Sequence, residues 1–418
     1  MPMPELSRTV DLDSYRAIMG DEEIDEIRRI ARPLRGAEIQ HINSTAVGGG
    51  VAEILARLVP LMQQVGLRAR WDVIEGNARF FAVTKAFHNA LHGADEDITP
   101  EMFSIFNDVT QQNLGLIRAD SDFTAIHDPQ PAGLIRARSS GKGKWLWRCH
   151  IDLSDADPRV WAFLRPHVEK FDAALFHLAD YAQQLGIPQY LIMPAIDPFS
   201  AKNEEIPAEE VRSIVSGYKI DPDRPIVLQV SRFDRLKDPL GVVRAYQLAR
   251  TWHDCQLVLA GGGAADDPEG ERVLAEVREA AGKDPDIHIL DLPPDSHRQI
   301  NALQRGATVI VQKSLKEGFG LVVTEAMWKG KPVIGGAVGG IRRQIIQGST
   351  GFLVHTVEGT AFRIRQLLTN PGLAKRLGDS ARLFVKDNFL LPTYLKQWTL
   401  ALLAMRHGDR GITLLENL

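Results

Sequence analysis

Two carboxylates eight residues apart, Glu317 and Glu325, bracket the turn Gly318-Phe319-Gly320 and the apolar start at Leu321-Val322-Val323. The glycines mark a turn, and the run after it predicts a helix. Backbone N–H groups at the positive end of such a helix favour an anion. Glu317 precedes the turn and Glu325 lies about one turn inside the helix, so both flank whatever the turn holds. A diphosphate carrying a sugar at one end and a ribose at the other fits that layout. Both sugars have hydroxyls that a carboxylate accepts from.

Ser231-Arg232 and Lys237 follow a short apolar run, with the two cations five residues apart. A departing diphosphate gathers negative charge, and two fixed cations stabilise it where water is scarce. Loop cations are more often solvated; the acidic turn downstream and the strand end on the same half argue for the site. Gly48-Gly49-Gly50 also follows a strand-like run and opens a helical pattern. Glycines there admit a phosphate to the backbone, although a plain flexible turn explains them equally well. Gly261-Gly262-Gly263 reads first as a turn at a strand end.

His150 lies in Trp147-Arg148-Cys149-His150-Ile151-Asp152. In an extended segment Arg148, His150 and Asp152 share one face. A hydrogen-bonded core histidine is the competing account. In His127-Asp128-Pro129-Gln130-Pro131 the prolines stiffen a polar loop, so Asp128 and Gln130 could read hydroxyls or simply cap local backbone. Glu75-Gly76-Asn77 and Lys85 to Asn89 add polar groups that surface helices would also explain. No clustered Cys/His set, HExxH, calcium loop, P-loop or GxSxG is present, so no metal site and no serine nucleophile is expected.

These residues need strand ends to position them. Short β-branched runs alternate with amphipathic helical patterns, which predicts parallel sheets covered by helices. Strands are expected over 38–43, 123–127, 145–150, 173–176 and 190–193, then over 226–230, 256–260, 287–290, 308–312 and 331–334. Pro and charge between 194 and 207 mark a linker. The expectation is therefore α/β: two Rossmann-like, doubly wound domains facing a central cleft. Residues 1–200 form one, joined by a helix over about 391–418, and 201–390 form the other. Ligands favour the carboxyl ends of such strands.

The 418 residues carry a formal net charge of −4 and two cysteines, Cys149 and Cys255. No basic field points to nucleic acid, no apolar run reaches bilayer length, and no disulfide framework is expected. The amino terminus lacks the basic and apolar regions of a signal peptide, which predicts a cytoplasmic protein.

Together, Glu317 to Glu325 with its internal Gly-Phe-Gly, Ser231-Arg232 with Lys237, Gly339-Gly340 and Thr350 to Val354 resemble the retaining glycosyltransferases of the GT-B fold. That family includes sucrose, trehalose and glycogen-type synthases. In the first half, His41 to Thr45, Trp71 to Gly76, His127 to Pro131 and Trp147 to Asp152 are similar to its trehalose-forming members, with trehalose phosphorylase also close. The resemblance implies transfer of glucose from a nucleoside diphosphate glucose to free glucose, giving α,α-trehalose, in an enzyme for which a homodimer is expected.

It also implies roles. Arg232, Lys237, His150 and Glu317 would form the catalytic set: the cations on the diphosphate, Glu317 on donor-glucose hydroxyls, His150 near the reacting carbon. Ser231, Gly48, Gly49, Gly50, Gly318, Phe319, Gly320 and Leu321 would contact the donor, Glu325 its ribose, and Ile289 and Leu290 its base. Glu75, Asp128, Gln130, Arg148 and Asp152 would surround the acceptor. No tightly bound cofactor is implied, and Mg²⁺ would arrive with the diphosphate. The chain departs from the family pattern at Gln347, where an acidic residue is expected, and at Lys313 and Lys316, which crowd Glu317. With both glutamates assigned to hydroxyls, no carboxylate remains as a nucleophile, and front-face attack is the expected route to retention. A sugar-nucleotide epimerase and a non-catalytic sensor are the alternatives from other classes.

Overall fold

A computed structural model describes residues 10–46, 50–117, 120–138, 143–262 and 268–408. The chain divides into two compact units, Met1–Ala195 with Leu391–Leu418, and Ile196–Leu390.

The first unit contains a six-stranded parallel sheet. Its strands are β1 (Glu38–Asn43), β2 (Arg68–Val73), β3 (Phe123–His127), β4 (Lys144–Arg148), β5 (Ala173–Phe176) and β6 (Gln189–Leu191), in the order β2-β1-β3-β4-β5-β6. β3 is buried along its whole length, as a parallel strand covered on both faces should be. One core gathers Phe80, Phe87, Phe106, Trp145, Trp147 and Phe176. β2 was not expected from the sequence. Its Arg68, Arg70 and Asp72 alternate with buried Ala69, Trp71 and Val73. It is an edge strand pairing only with β1, so one side can carry charge.

The second unit has β7 (Ile226–Val230), β8 (Gln256–Gly261), β9 (Ile287–Asp291), β10 (Val309–Gln312), β11 (Val333–Gly336) and β12 (Gly351–Val354). Read from the other edge, their order is β9-β8-β7-β10-β11-β12, again all parallel. The chain thus works outward from β7 in one direction, then returns to continue from β10 in the other. β7 and β10 are neighbours at that reversal, where doubly wound sheets open a crevice. β12, which the sequence showed only as a family-like motif, closes one edge.

Helix starts follow local capping chemistry. Asn77, Asp157, Asp238, Thr356 and Asn370 each accept a backbone N–H in the first turn of the helix they open. The helix Leu391–His407 returns to the first unit and packs on Asp21–Ala31 and Gly50–Gln64. Its buried Lys396 reaches Glu23 (3.1 Å) and Glu26 (2.6 Å). Among the described residues, no helix is long and apolar enough to cross a membrane.

Candidate active site

In the second unit, the loops after β7 and β10 meet. Asp234 accepts the backbone N–H of Lys237 (3.1 Å) and forms the 3₁₀ turn Arg235–Lys237. Gln229 Nε2 donates to the Lys237 carbonyl (2.8 Å), and the N–H of Leu315 donates to the Leu236 carbonyl (2.7 Å). That stitching points Lys237 Nζ at Glu317 Oε2, 2.8 Å away, with the side chains 18% and 11% exposed. Ser314 Oγ donates to the same carboxylate oxygen (3.2 Å). Glu317 therefore neutralises the cation beside it.

Arg232 stands apart. Its side chain is 63% exposed, with Nη2 3.4 Å from Asp234 Oδ2. Gly261 fixes the start of this loop, because a Cβ there would lie 1.8 Å from the Ser231 carbonyl oxygen. Lys313, a departure from the family pattern, pairs with Asp238, a residue at φ 49° that caps the helix Pro239–Arg250. Its charge is spent on joining the two loops. Gln347, another departure, accepts the N–H of Leu353 (2.6 Å), within β12.

The Gly318-Phe319-Gly320 turn is fastened from behind. Gly340 donates to the Gly318 carbonyl (3.0 Å), and Gln344 Nε2 donates to the Phe319 carbonyl. A Cβ on Gly340 would sit 2.5 Å from Phe319 Cα, so the glycine permits the approach. Phe319 is buried against Phe389. Gly320, at φ 85°, starts the helix Leu321–Trp328 from a left-handed conformation. Inside this helix Glu325 is buried. One turn on, Lys329 donates to Asn203 Oδ1 (3.0 Å) and to the Glu325 carbonyl (3.2 Å). Burial pulls the Lys329 ammonium down to about 7, against the pull of the Glu325 charge. Ile289 and Leu290 lie half-buried on β9, two strands from β7.

In the first unit, the polar groups gather at the ends of β1, β3 and β4. Asp128 follows β3 at φ 67°. Its Oδ1 accepts the backbone N–H of His150 (2.7 Å), and its carbonyl accepts from Trp147 Nε1 (3.0 Å). Burial raises its carboxyl to about 7, although the His150 N–H and the Arg148 charge pull the other way. Gln130 Oε1 is buried and, among the described residues, has no hydrogen-bond partner. His127 Nδ1 is 3.1 Å from His150 Nε2, and the rings stack.

The expected strand does not run as far as His150. β4 stops at Arg148, so His150 and Asp152 lie in the following loop and strand alternation does not place them. Arg148 is fully buried and donates to the carbonyls of Phe176 (2.9 Å) and Ile192. It braces the ends of neighbouring strands rather than standing open to a sugar. Asp152 accepts from the N–H (2.9 Å) and Oγ of Ser154, closing its own turn. Glu75 is exposed, its backbone clasped by Asn113 through two hydrogen bonds (2.8 and 2.7 Å). Asn77 caps the next helix. Gly50 begins the helix Gly50–Gln64, whereas Gly48 and Gly49 lie outside the described residues.

Sequence reasoning noted Lys313 only as crowding Glu317, missed Ser314 on Glu317 and Lys329 beside Glu325, and missed that His41 meets His127 and Met62 meets His41. The signal for the lysines was their position beside the glutamates. Nothing along the chain links Met62 to His127.

Among the described residues, no group of three or more His, Cys, Asp or Glu is placed to hold a metal. Residues 41–183 match the trehalose synthase N-terminal domain family, and 212–384 match glycosyl transferases group 1. The chain is similar to a trehalose synthase of Pyrococcus horikoshii, 44% identical over 93% of this chain and 94% of that protein. A trehalose synthase of Rubrobacter xylanophilus is 42% identical over 92% of this chain and 94% of its own length. Among solved structures, the UDP-forming α,α-trehalose-phosphate synthase of Burkholderia vietnamiensis superposes with a TM-score of 0.71. It covers 89% of this chain and 99% of its own, at 14% identity, which is a likeness of fold: the GT-B pair of Rossmann-like units.

Proposed function

The chain belongs to the trehalose synthase family of glycosyltransferases, and on that premise we propose how it transfers glucose from a nucleoside diphosphate glucose to free glucose, forming trehalose. The observation that carries the mechanism is the Lys237–Glu317 pair at the carboxyl ends of β7 and β10, where the strand order reverses. A diphosphate seated there would take Lys237 from Glu317 and recruit Arg232, whose guanidinium is open to it. Glu317, released, would accept hydroxyl hydrogens of the donor glucose. The turn behind it would add backbone N–H groups at a helix start.

The chemical step is a front-face displacement. The bond from glucose C1 to the diphosphate oxygen breaks, and a bond from C1 to the acceptor oxygen forms on the same face. The acceptor's proton goes to the departing diphosphate. Protein groups supply position and charge stabilisation rather than a nucleophile. Near His150, Asp128 and Gln130 the unpartnered Gln130 Oε1 supports a sugar contact. Mg²⁺, where it takes part, would ride on diphosphate oxygens and water. We also propose a cytoplasmic homodimer, to be checked by light scattering of the purified chain.

Incubation with UDP-, ADP- or GDP-glucose plus glucose, followed by chromatography, tests the reaction. Trehalose and a nucleoside diphosphate are expected. Trehalose turnover only with inorganic phosphate would make the chain a phosphorylase, and a free, altered nucleotide sugar would make it an epimerase.

A further inference from the structure

Three histidines of the first unit are joined end to end. His41 Nδ1 is 3.0 Å from His127 Nε2, and His127 Nδ1 is 3.1 Å from His150 Nε2. The far nitrogen of the first ring, His41 Nε2, is 3.3 Å from the sulfur of Met62. His41 and His127 are buried, with the Trp398 ring 5.2 Å from His41 and 6.0 Å from His127. His150 is only partly covered, and among the described residues its Nδ1 makes no hydrogen bond to the protein.

Each link between two neutral imidazoles uses one proton, and each neutral ring carries one. The chain therefore has two possible polarities, and its closed end decides between them. A thioether accepts hydrogen bonds and has no hydrogen to give. If His41 Nε2 were bare, two lone pairs would face one another inside the core. His41 must then carry its hydrogen on Nε2, which leaves its Nδ1 to receive the Nε2–H of His127. His127 Nδ1 receives the Nε2–H of His150 in turn, and His150 Nδ1 is left bare.

We infer that Met62, acting through His41 and His127, sets the tautomer of His150, so that His150 presents Nδ1 as a hydrogen-bond acceptor for a sugar hydroxyl. Met62, His41 and His127 are positioning residues, and the nature of the ligand rests on the glucosyltransferase function proposed above. The surroundings keep the rings neutral. Burial, then the Arg148 charge, hold His150 well below the usual imidazole range, and burial, then His41 and Arg148, do the same for His127. His177 meets the His150 ring edge-on at 5.4 Å, and Asp128 fixes the His150 backbone. An acceptor at Nδ1 selects a ligand that donates there, and turns its lone pair away from groups that only accept, such as a phosphate oxygen.

Long-range ¹H–¹⁵N correlation on the protein labelled at histidine nitrogen distinguishes N–H from bare ring nitrogens, with His150→Asn assigning that ring. At neutral pH and without ligand, all three rings should carry hydrogen on Nε2 and His150 Nδ1 should be bare. Met62→Leu keeps the volume and removes the acceptor. In that variant His150 should populate both tautomers, and kcat should fall roughly 2- to 10-fold with nucleoside diphosphate affinity unchanged. A hydrogen on His150 Nδ1 in the parent protein, or an unaltered His150 tautomer in Met62→Leu, would overturn the inference. The expected tautomers in a protein that transfers no glucose would retire the glucosyltransferase function and still support the tautomer assignment.

Discussion

Lys237 and Glu317 form a pair that is part of the resting site and would have to be broken for the site to work. With 18% and 11% exposure, neither side chain is freely solvated, so removing one leaves the other's charge poorly compensated. Lys237→Ala should lower turnover at saturating substrate by about 10²–10³-fold, the usual loss for a preorganised transition-state donor. Turnover equal to the parent's would remove Lys237 from the chemistry. Glu317→Gln keeps the shape, drops the charge and frees Lys237. Nucleoside diphosphate binding, read by calorimetry, should hold or tighten while kcat/KM for the sugar nucleotide falls. Parallel losses in both would mean that Glu317 serves the diphosphate and not the sugar.

At the scale of elements, the site depends on how closely loops approach one another at strand ends. Gly261 ends β8 under the carbonyl of Ser231, and the missing side chain is what allows the contact. Gly261→Ala places a Cβ 1.8 Å from backbone, which no rotamer change relieves. It should destabilise the protein by about 1–3 kcal/mol in denaturant melts and weaken diphosphate binding by displacing the Ser231-Arg232 loop. A variant with parental stability and binding would show that the loop has room to move. The Glu317 turn is held in a comparable way by Gln344, which joins the Phe319 carbonyl to Thr324 Oγ1 (2.6 Å). Gln344 lies on a separate short helix, Ile341–Gln344.

For the whole molecule, the buried histidines make acid the vulnerable direction. Burial lowers His41 to about 3 and holds His127, His150 and His177 well below 6.5. A depressed histidine contributes stability above its unfolded pKa that is lost as pH falls, because the unfolded chain binds protons that the folded chain refuses. For His41 alone the loss between pH 6.5 and 5 is about 2 kcal/mol. Asp128, raised to about 7, opposes this: its contribution grows as pH falls through that value. It is one group against these four, and burial lowers His167 and His288 as well, so the melting temperature should drop from pH 7 to pH 5. A flat profile would contradict the burial of the histidine chain. The helix Leu391–His407 shares in this chain, since Trp398 covers two of its rings.

The order of side chains along the chain was enough for the fold class, two parallel sheets wrapped by helices, because strand and helix periods are local properties. It also determined the donor class, since Glu317, Gly318-Phe319-Gly320 and Glu325 form one contiguous stretch. β2 was legible and missed: its Arg68, Arg70 and Asp72 alternate with Ala69, Trp71 and Val73 at the strand period, where the other strands show as short apolar runs. The sequence could not give Arg148 its role as a brace, because the carbonyls that hold it end β5 and follow β6. Only the tertiary structure paired Lys237 with Glu317 across 80 residues and linked His41, His127 and His150 to one another. Those contacts arise where parallel strands set distant loops side by side, and the order of strands in a sheet is not written in any local pattern of the chain.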